Sequence, residues 1–233
     1  MIKITFIGAG STVFAKNVLG DVMLTEALRD AHIALYDIDG ERLEESRIMT
    51  ENLNRNINNG RAKITAHLGA ENRKEALRDA DFLVNAIQIG GYEPSTVIDF
   101  EIPKKYGLRQ TIGDTLGIGG IFRGLRTIPV MLDIAREMEE VCPDGWLLNY
   151  TNPMSIVTGA VLKATGANII GLCHSVQICV PRLLEALDYD IDPSDTRWKI
   201  AGINHMAWLT EIEYRGQDLY PEIRKRADAK NKA

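Results

Sequence analysis

The first forty residues follow the order strand, glycine-rich turn, helix, strand and acid. Residues 2–7 are apolar at nearly every position, as expected for a strand buried on both faces of a sheet. The run Gly8-Ala9-Gly10-Ser11-Thr12-Val13 follows directly and leads into a helix predicted over residues 12–29. A second strand is predicted over residues 33–36 and is followed by Asp37. This order is typical of an α/β fold that binds a dinucleotide.

The glycine-rich turn has the chemistry that a pyrophosphate needs. Glycines let the backbone turn tightly and approach the phosphates, which the N-terminus of the next helix stabilises. Asp37 is placed to accept hydrogen bonds from the adenosine ribose, and a carboxylate there favours NAD over NADP because it repels a 2′-phosphate. Val13 replaces the third glycine of the usual fingerprint, so a plain tight turn is the alternative. We expect the cofactor contacts of this turn to come from Gly8, Gly10, Ser11 and Thr12.

The alternation of strands and helices continues beyond Asp37. Strands are predicted over residues 64–67, 82–89, 146–150 and 168–172, and helices over residues 41–58, 73–79 and 125–141. Such alternation predicts a parallel sheet with right-handed crossovers. We therefore expect an α/β chain, with a Rossmann-like doubly wound sheet over residues 1–200 and the start of a second α+β domain over residues 201–233.

Composition excludes several classes of function. The net charge is −5 and no long basic run is present, which argues against a nucleic-acid partner. No stretch approaches the roughly 20 apolar residues that a membrane span requires, and a strand predicted from residue 2 leaves no room for a signal peptide. The cysteines at positions 142, 173 and 179 form no even-numbered disulfide framework. We expect a cytoplasmic chain without membrane contacts.

Polar residues follow the predicted strands at the sheet edge where α/β proteins bind ligands. Gln88 is placed to contact either cofactor or substrate, and Asn149 is expected to face the nicotinamide. Asn152 precedes a proline in the order of a helix N-cap, so capping and binding both stay open. Asp114 lies in a glycine-rich segment, residues 107–124, that predicts a long functional loop, where a simple turn role is equally open.

Cys173 and His174 are adjacent at the end of the strand predicted over residues 168–172. His205 follows a second strand-like run, residues 199–203. A thiolate and an imidazole can together hold a borderline divalent metal, and two protein ligands leave positions for substrate oxygens and water. The pattern therefore suggests a catalytic metal site. The alternative is a buried thiol beside a loop histidine.

Taken together, these motifs resemble the NAD- and metal-dependent glycosidases of glycoside hydrolase family four. The motifs that carry the resemblance run in order through almost the whole chain: Gly8-Ala9-Gly10-Ser11, Asp37-Ile38-Asp39, Ile87-Gln88-Ile89-Gly90-Gly91, Thr111-Ile112-Gly113-Asp114-Thr115-Leu116-Gly117, Leu125-Arg126-Thr127-Ile128-Pro129, Asn149-Tyr150-Thr151-Asn152-Pro153, Cys173-His174-Ser175 and Gly202-Ile203-Asn204-His205-Met206. In having a histidine, His174, directly after the cysteine, the chain resembles the α-galactosidase branch of the family. This resemblance implies an unphosphorylated α-galactoside as substrate.

The resemblance also implies a mechanism and a role for each matching residue. NAD⁺ oxidises sugar C3, a base removes the C2 proton, the aglycone is eliminated, water adds and the hydride returns; a divalent metal, usually Mn²⁺, supports these steps. Cys173 and His205 match the metal ligands, and His174 matches the general acid. Asn152 matches a residue that binds a substrate hydroxyl, and Gln88 is a second predicted substrate contact. Asp114 matches an acid near the active site that orients or tunes the base. A homo-oligomer is also implied.

One departure from the family limits what the resemblance implies. Family members are longer, and the tyrosine expected as C2 base has no counterpart here, because Tyr214 and Tyr220 do not match its motif. If nothing follows Ala233, we expect weak or no turnover. The alternatives are another α-glycosidase of the family, a 2-hydroxy-acid dehydrogenase of the lactate and malate type, or a non-catalytic NAD-binding module.

Overall fold

The computed structural model describes residues 1–232, apart from the side chain of Pro193. A parallel sheet forms the N-terminal part, with the strand order β3-β2-β1-β4-β5-β6. Its strands are β1 (Lys3–Ile7), β2 (His32–Asp37), β3 (Lys63–Leu68), β4 (Phe82–Asn85), β5 (Trp146–Asn149) and β6 (Asn168–Gly171). The order reverses between β1 and β4, and a parallel doubly wound sheet binds its ligands beyond the carboxyl ends of the strands at that point.

Helices cover both faces of this sheet. They are α1 (Thr12–Leu24), α2 (Gly40–Asn58), α3 (Arg73–Leu77), α4 (Val97–Lys105), α5 (Gly117–Val141) and α6 (Met154–Ala164). Phe6 and Ile7 are neighbours on β1 and are both fully buried, but they belong to two different apolar clusters because successive strand side chains point to opposite faces. Phe6 packs in the cluster of Leu19 from α1, and Ile7 in that of Met131 from α5. The predicted Rossmann-like doubly wound fold is confirmed.

Two elements are shorter than predicted. The strand predicted over residues 82–89 ends at Asn85, because its neighbours β1 and β5 end opposite this residue and leave nothing to pair with. The helix predicted over residues 12–29 ends at Leu24, where Thr25 turns into an extended conformation and its hydroxyl donates to the Asp21 carbonyl. Both ends are determined by contacts rather than by the apolar pattern.

The prediction of a loop over residues 107–124 is wrong in its second half. Helix α5 begins at Gly117, well before the predicted start at residue 125. A Cβ atom on Gly119 would lie 2.3 Å from the Gly113 carbonyl oxygen, and one on Gly120 would lie 2.5 Å from the Thr115 carbonyl oxygen. These glycines therefore mark a helix that packs closely against the preceding loop, although glycine is a poor helix former in isolation.

Contacts between residues divide the chain into two compact units, and the second begins at Cys173. It contains α7 (Ser175–Ala186), the antiparallel strands β7 (Thr196–Ile203), β8 (Met206–Tyr214) and β9 (Gln217–Asp218), and α8 (Tyr220–Lys232). Its apolar core is built around Val180, Leu184, Ile212 and Ile223. The functional domain boundary at residue 200 stays a prediction. Within residues 1–232, no helix has both the length and the apolarity of a membrane span.

Candidate functional site

The turn after β1 is pressed against the end of β4. The N–H groups of Gly8 and Ala9 both donate to the Tyr36 carbonyl oxygen at 3.0 Å, which ties the turn to β2. Gly8 has a φ of 84°, and a Cβ atom there would lie 2.9 Å from the carbonyl carbon of Ala86. Only glycine fits this position without moving the backbone of the next strand. At this edge of the sheet, the backbone of Gly8 therefore packs directly against the backbone of Ala86, with no room for a side chain between them.

Asp37 holds the same turn from β2. Its Oδ2 accepts the Gly10 N–H at 2.6 Å, and its Oδ1 accepts the Asp39 N–H at 3.0 Å. A carboxylate has about four lone-pair sites, so two remain for further donors. Asp37 is thus a structural anchor of the glycine turn that can still accept hydrogen bonds from a ligand.

The N-terminus of α1 is open to an anion. The side chain of Ser11, the residue before the helix, makes no capping hydrogen bond, and the first turn contains no acidic residue. The Thr12 hydroxyl donates to the Gly10 carbonyl at 3.4 Å. Val13 is 74% exposed, so a glycine is not needed at this position for close packing. Uncapped N–H groups at the start of a helix bind phosphate well.

Asn149 lies fully buried at the end of β5. Its Oδ1 accepts hydrogen bonds from the Asn85 amide at 2.9 Å and from the Thr151 N–H at 3.0 Å, and its own amide donates to the Thr158 hydroxyl at 3.2 Å. The side chain is therefore engaged within the protein, and its contact with a cofactor stays a prediction. Sequence reasoning missed Asn85, although asparagines end two strands that prove to be neighbours.

Gln88 is exposed just beyond β4, where its amide donates to the Thr96 hydroxyl at 3.0 Å. The turn that follows is held by Arg126, which sequence reasoning did not assign to the site. Its Nε donates to the Ile89 carbonyl at 3.0 Å, and its terminal nitrogens lie 3.2 and 2.6 Å from the two oxygens of the buried Asp99. This two-pronged ion pair stabilises the backbone next to Gln88.

Asp114, Arg123 and Asn152 form a polar cluster beyond β5. The Asn152 amide donates to Asp114 Oδ2 at 3.1 Å. Arg123 donates from Nε to the Asn152 carbonyl at 3.1 Å, and its terminal nitrogen lies 3.8 Å from Asp114 Oδ2. Burial lowers the pKa of the Arg123 guanidinium, an effect that the Asp114 charge opposes. The cluster holds both the side chain and the backbone of Asn152.

This geometry excludes one of the two roles left open for Asn152, and the binding role stays a prediction. Helix α6 begins at Met154, and Pro153 precedes it without a side-chain cap. The Asn152 side chain is directed to Asp114 instead, so the predicted N-cap is wrong. Asp114 in turn is part of an ion-paired cluster rather than an isolated turn residue. No local pattern showed this pairing, since the two residues are 38 positions apart.

Cys173, His174 and His205 lie in the second unit. Cys173 is partly exposed, and its Sγ accepts the Ser175 N–H at 3.4 Å. His174 is exposed directly before α7. His205 lies in the two-residue connection between β7 and β8 with a φ of 60°, and its buried Nδ1 has no hydrogen-bond partner in the described chain. A buried polar nitrogen without a partner is costly, and metal binding is one way to satisfy it.

The metal-ligating side chains are few. Within residues 1–232, no group of three or more His, Cys, Asp or Glu side chains could hold a metal ion together. Cys173 and His205 nevertheless each offer a donor atom, a thiolate sulfur and an imidazole nitrogen, of the kinds that bind divalent transition metals. Such a pair would leave coordination positions open.

The glycine turn after β1 and the polar cluster beyond β5 both lie in the part of the chain that the family comparison covers. The model of the family 4 glycosyl hydrolases matches residues 3–189, and that of their C-terminal domain matches residues 200–233. The chain therefore belongs to glycosyl hydrolase family 4, which confirms the predicted family and argues against a dehydrogenase of the lactate and malate type.

The chain can also be compared with individual relatives and with a solved structure. The α-galactosidase of Bacillus subtilis (strain 168) is 62% identical over 232 residues, which cover 100% of this chain and 52% of that protein. An α-galacturonidase of the same organism is 35% identical over 96% of this chain and 50% of its own length. The crystal structure of a 6-phospho-α-glucosidase from gut microorganisms in complex with NAD and Mn²⁺ has a TM-score of 0.86 at 26% identity, over 98% of this chain and 51% of that one. The chain spans about half the length of the curated relatives it matches.

Proposed function

We propose that the chain belongs to an NAD- and Mn²⁺-dependent α-galactosidase that cleaves unphosphorylated α-galactosides by C3 oxidation, C2 deprotonation and elimination. The observation that carries the substrate assignment is the 62% identity to the B. subtilis α-galactosidase, against 35% to the α-galacturonidase. An α-galacturonide or an α-glucoside is the alternative substrate.

The N-terminal unit has the features that NAD requires. Gly8 keeps the turn free of side chains, the start of α1 offers uncapped N–H groups, and Asp37 retains lone pairs for ribose hydroxyls. Bound NAD⁺ supplies a hydride acceptor for sugar C3. Asn149 contributes by holding the end of β5 in place through its buried hydrogen bonds, and Gln88 is exposed for a contact with cofactor or substrate.

Cys173 and His205 are proposed to hold the divalent metal. The unpartnered Nδ1 of His205 and the weakly bonded thiol of Cys173 support this assignment. A bound divalent cation supplies positive charge that acidifies the C2 proton once C3 is a ketone.

Asn152 is proposed to bind a substrate hydroxyl, and its neighbours prepare it for this role. The bond to Asp114 uses an N–H of the Asn152 amide, so the amide oxygen is left as an acceptor facing away from that carboxylate. Arg123 fixes the backbone of the same residue. Asp114 orients Asn152 directly, and the exposed His174 is available as the acid that protonates the leaving oxygen.

A second candidate is a non-catalytic NAD-binding chain, because the features proposed for NAD all lie in the N-terminal unit and do not involve Cys173 or His205. We further propose a homo-oligomer in the cytoplasm. The free thiols of Cys142, Cys173 and Cys179 support a reducing compartment.

Release of p-nitrophenol from p-nitrophenyl α-galactoside tests the function. The chain is stripped of cofactor and metal, and NAD⁺ and Mn²⁺ are added together or singly, with the α-galacturonide and α-glucoside as matched substrates. Turnover of the α-galactoside that needs both additions supports the proposal. Binding of NAD⁺ without turnover supports the second candidate, and turnover that needs neither addition contradicts both.

A further inference from the structure

The adenosine end of the proposed cofactor site contains one cation among several acids. Asp37 ends β2, Asp39 precedes α2, and Glu41 lies in the first turn of that helix. Arg42 follows in the same turn, and its side chain leans back over the glycine turn: a Cβ atom built on Gly10 would lie 2.9 Å from Arg42 Cβ and 3.2 Å from Arg42 Cδ. The aliphatic stem of Arg42 therefore packs on the turn that holds the cofactor.

The guanidinium of Arg42 is available to a ligand. Its Nε lies 3.7 Å from Asp39 Oδ2, which is too long for a hydrogen bond, and the side chain is 68% exposed. Arg47 on the same helix shows the contrast, because it donates to both oxygens of Glu44 at 2.7 and 2.6 Å and also pairs with Glu51. Arg47 is engaged in close ion pairs on the helix surface, whereas the side chain of Arg42, within the described residues, makes only the long ion pair with Asp39.

Asp37 by itself repels a 2′-phosphate less strongly than a carboxylate without hydrogen-bond donors would. Its two oxygens already accept N–H groups of Gly10 and Asp39, so part of its negative charge is balanced by backbone dipoles. A cation beside this carboxylate offsets the remaining repulsion. A planar guanidinium can also stack on an adenine ring, and it binds phosphate through two parallel hydrogen bonds.

From this arrangement, and on the basis of the proposed function, we infer that Arg42 is a specificity-determining residue of the cofactor site: it covers the adenosine and allows NADP⁺ to bind as well as NAD⁺. Asp37 keeps NAD⁺ as the tighter ligand through the ribose hydroxyls. Arg42 reduces the difference in affinity between the two cofactors by about tenfold, since one charge-assisted contact to the 2′-phosphate is worth about that factor.

Calorimetric titration of the whole chain with NAD⁺ and with NADP⁺ tests this inference without any need for turnover. Arg42→Gln is expected to weaken NADP⁺ binding by about tenfold or more and NAD⁺ binding by about twofold to fivefold. Arg42→Lys keeps the charge but loses the planar group, so it retains more NADP⁺ affinity than Arg42→Gln. Arg47→Gln removes the same charge from the same helix and is the matched control, expected to change neither affinity.

The outcomes separate the inference from the function on which it rests. If Arg42→Gln leaves both the NAD⁺ affinity and the ratio of NADP⁺ to NAD⁺ affinity unchanged, the role of Arg42 is overturned, but the proposed function is not. Equal effects of Arg42→Gln and Arg47→Gln would mean a general charge effect and would also overturn it. If the wild-type chain binds no NAD⁺, the proposed cofactor fails and this inference fails with it.

Discussion

The two units of the chain differ in how their predicted site residues are satisfied. In the N-terminal unit, Asp37, Asn149 and Asn152 each make hydrogen bonds to other parts of the same unit. In the second unit, within the described residues, His205 has a buried Nδ1 without a partner, and Cys173 accepts one long bond from a backbone N–H. The first unit is thus organised before any ligand binds, whereas the proposed metal ligands lack the contacts that a metal would provide.

The largest effect is expected from a substitution at Gly8 that disrupts the turn after β1. Gly8→Ala should lower the free energy of unfolding by about 3 kcal/mol, the sum of a left-handed alanine and a clash with backbone, and should abolish NAD⁺ binding. The matched control is Gly60→Ala, where φ is 72° and no atom lies within 4 Å of the added Cβ. Urea unfolding and NAD⁺ titration of both variants measure the difference. Equal losses in the two variants would mean that the contact with Ala86 is unimportant.

A smaller effect is expected when the polar cluster of the same unit loses its cation. Arg123→Met keeps the aliphatic volume but leaves Asp114 unpaired and the Asn152 carbonyl without its donor. The free energy of unfolding should fall by about 2 kcal/mol, a value reduced from that of a fully buried pair because Asp114 is partly exposed. Arg123→Lys restores the charge and should recover part of the loss in urea unfolding. A loss of less than about 0.5 kcal/mol would show that Arg123 is peripheral.

The second unit should respond differently when a site residue is removed. His205→Asn suits the left-handed backbone but places an amide group where the unpartnered Nδ1 lies, so the stability of the metal-free chain should change by less than about 1 kcal/mol. The same variant should lose the increase in melting temperature that Mn²⁺ gives the wild-type chain. Thermal unfolding with EDTA and with Mn²⁺ checks both. An equal Mn²⁺ shift in variant and wild type would exclude His205 as a ligand.

The smallest expected effect concerns two histidines on the neighbouring strands β2 and β3. His32 and His67 share the Thr65 hydroxyl at 2.9 and 3.1 Å, and burial lowers the pKa of both, assisted by the charge of Lys3. A histidine with a depressed folded pKa takes up protons more readily in the unfolded chain. Stability should therefore be full above about pH 6.5 and fall as the pH drops toward the lowered values.

The variant that checks this pH dependence is His67→Gln, which keeps a hydrogen-bonding group for Thr65. The wild-type chain should lose stability in urea unfolding as the pH falls below about 6.5, and the variant should lose less. The same slope in both chains would mean that His67 does not contribute.

The parts of the fold that sequence analysis predicts are those with a local cause. Strands buried on both faces show a mainly apolar run, and the glycine turn follows β1 directly, so the sequence predicts these elements and Asp37. The start of α5 was not, because its glycines are selected by contacts with Gly113 and Thr115 rather than by helix propensity. The partners of Asn152 and the ion pair of Arg126 with Asp99 join residues far apart in the chain, where no spacing rule applies.

The central claim is that the N-terminal unit forms the cofactor site independently of the metal ligands. The most direct test is calorimetric titration of NAD⁺ in EDTA into the wild-type chain and into a Cys173→Ser, His205→Asn double variant. We predict that both bind NAD⁺ with dissociation constants within about twofold of each other, while only the wild-type chain binds Mn²⁺. Absence of NAD⁺ binding by the wild-type chain, or its loss in the double variant, would contradict the account.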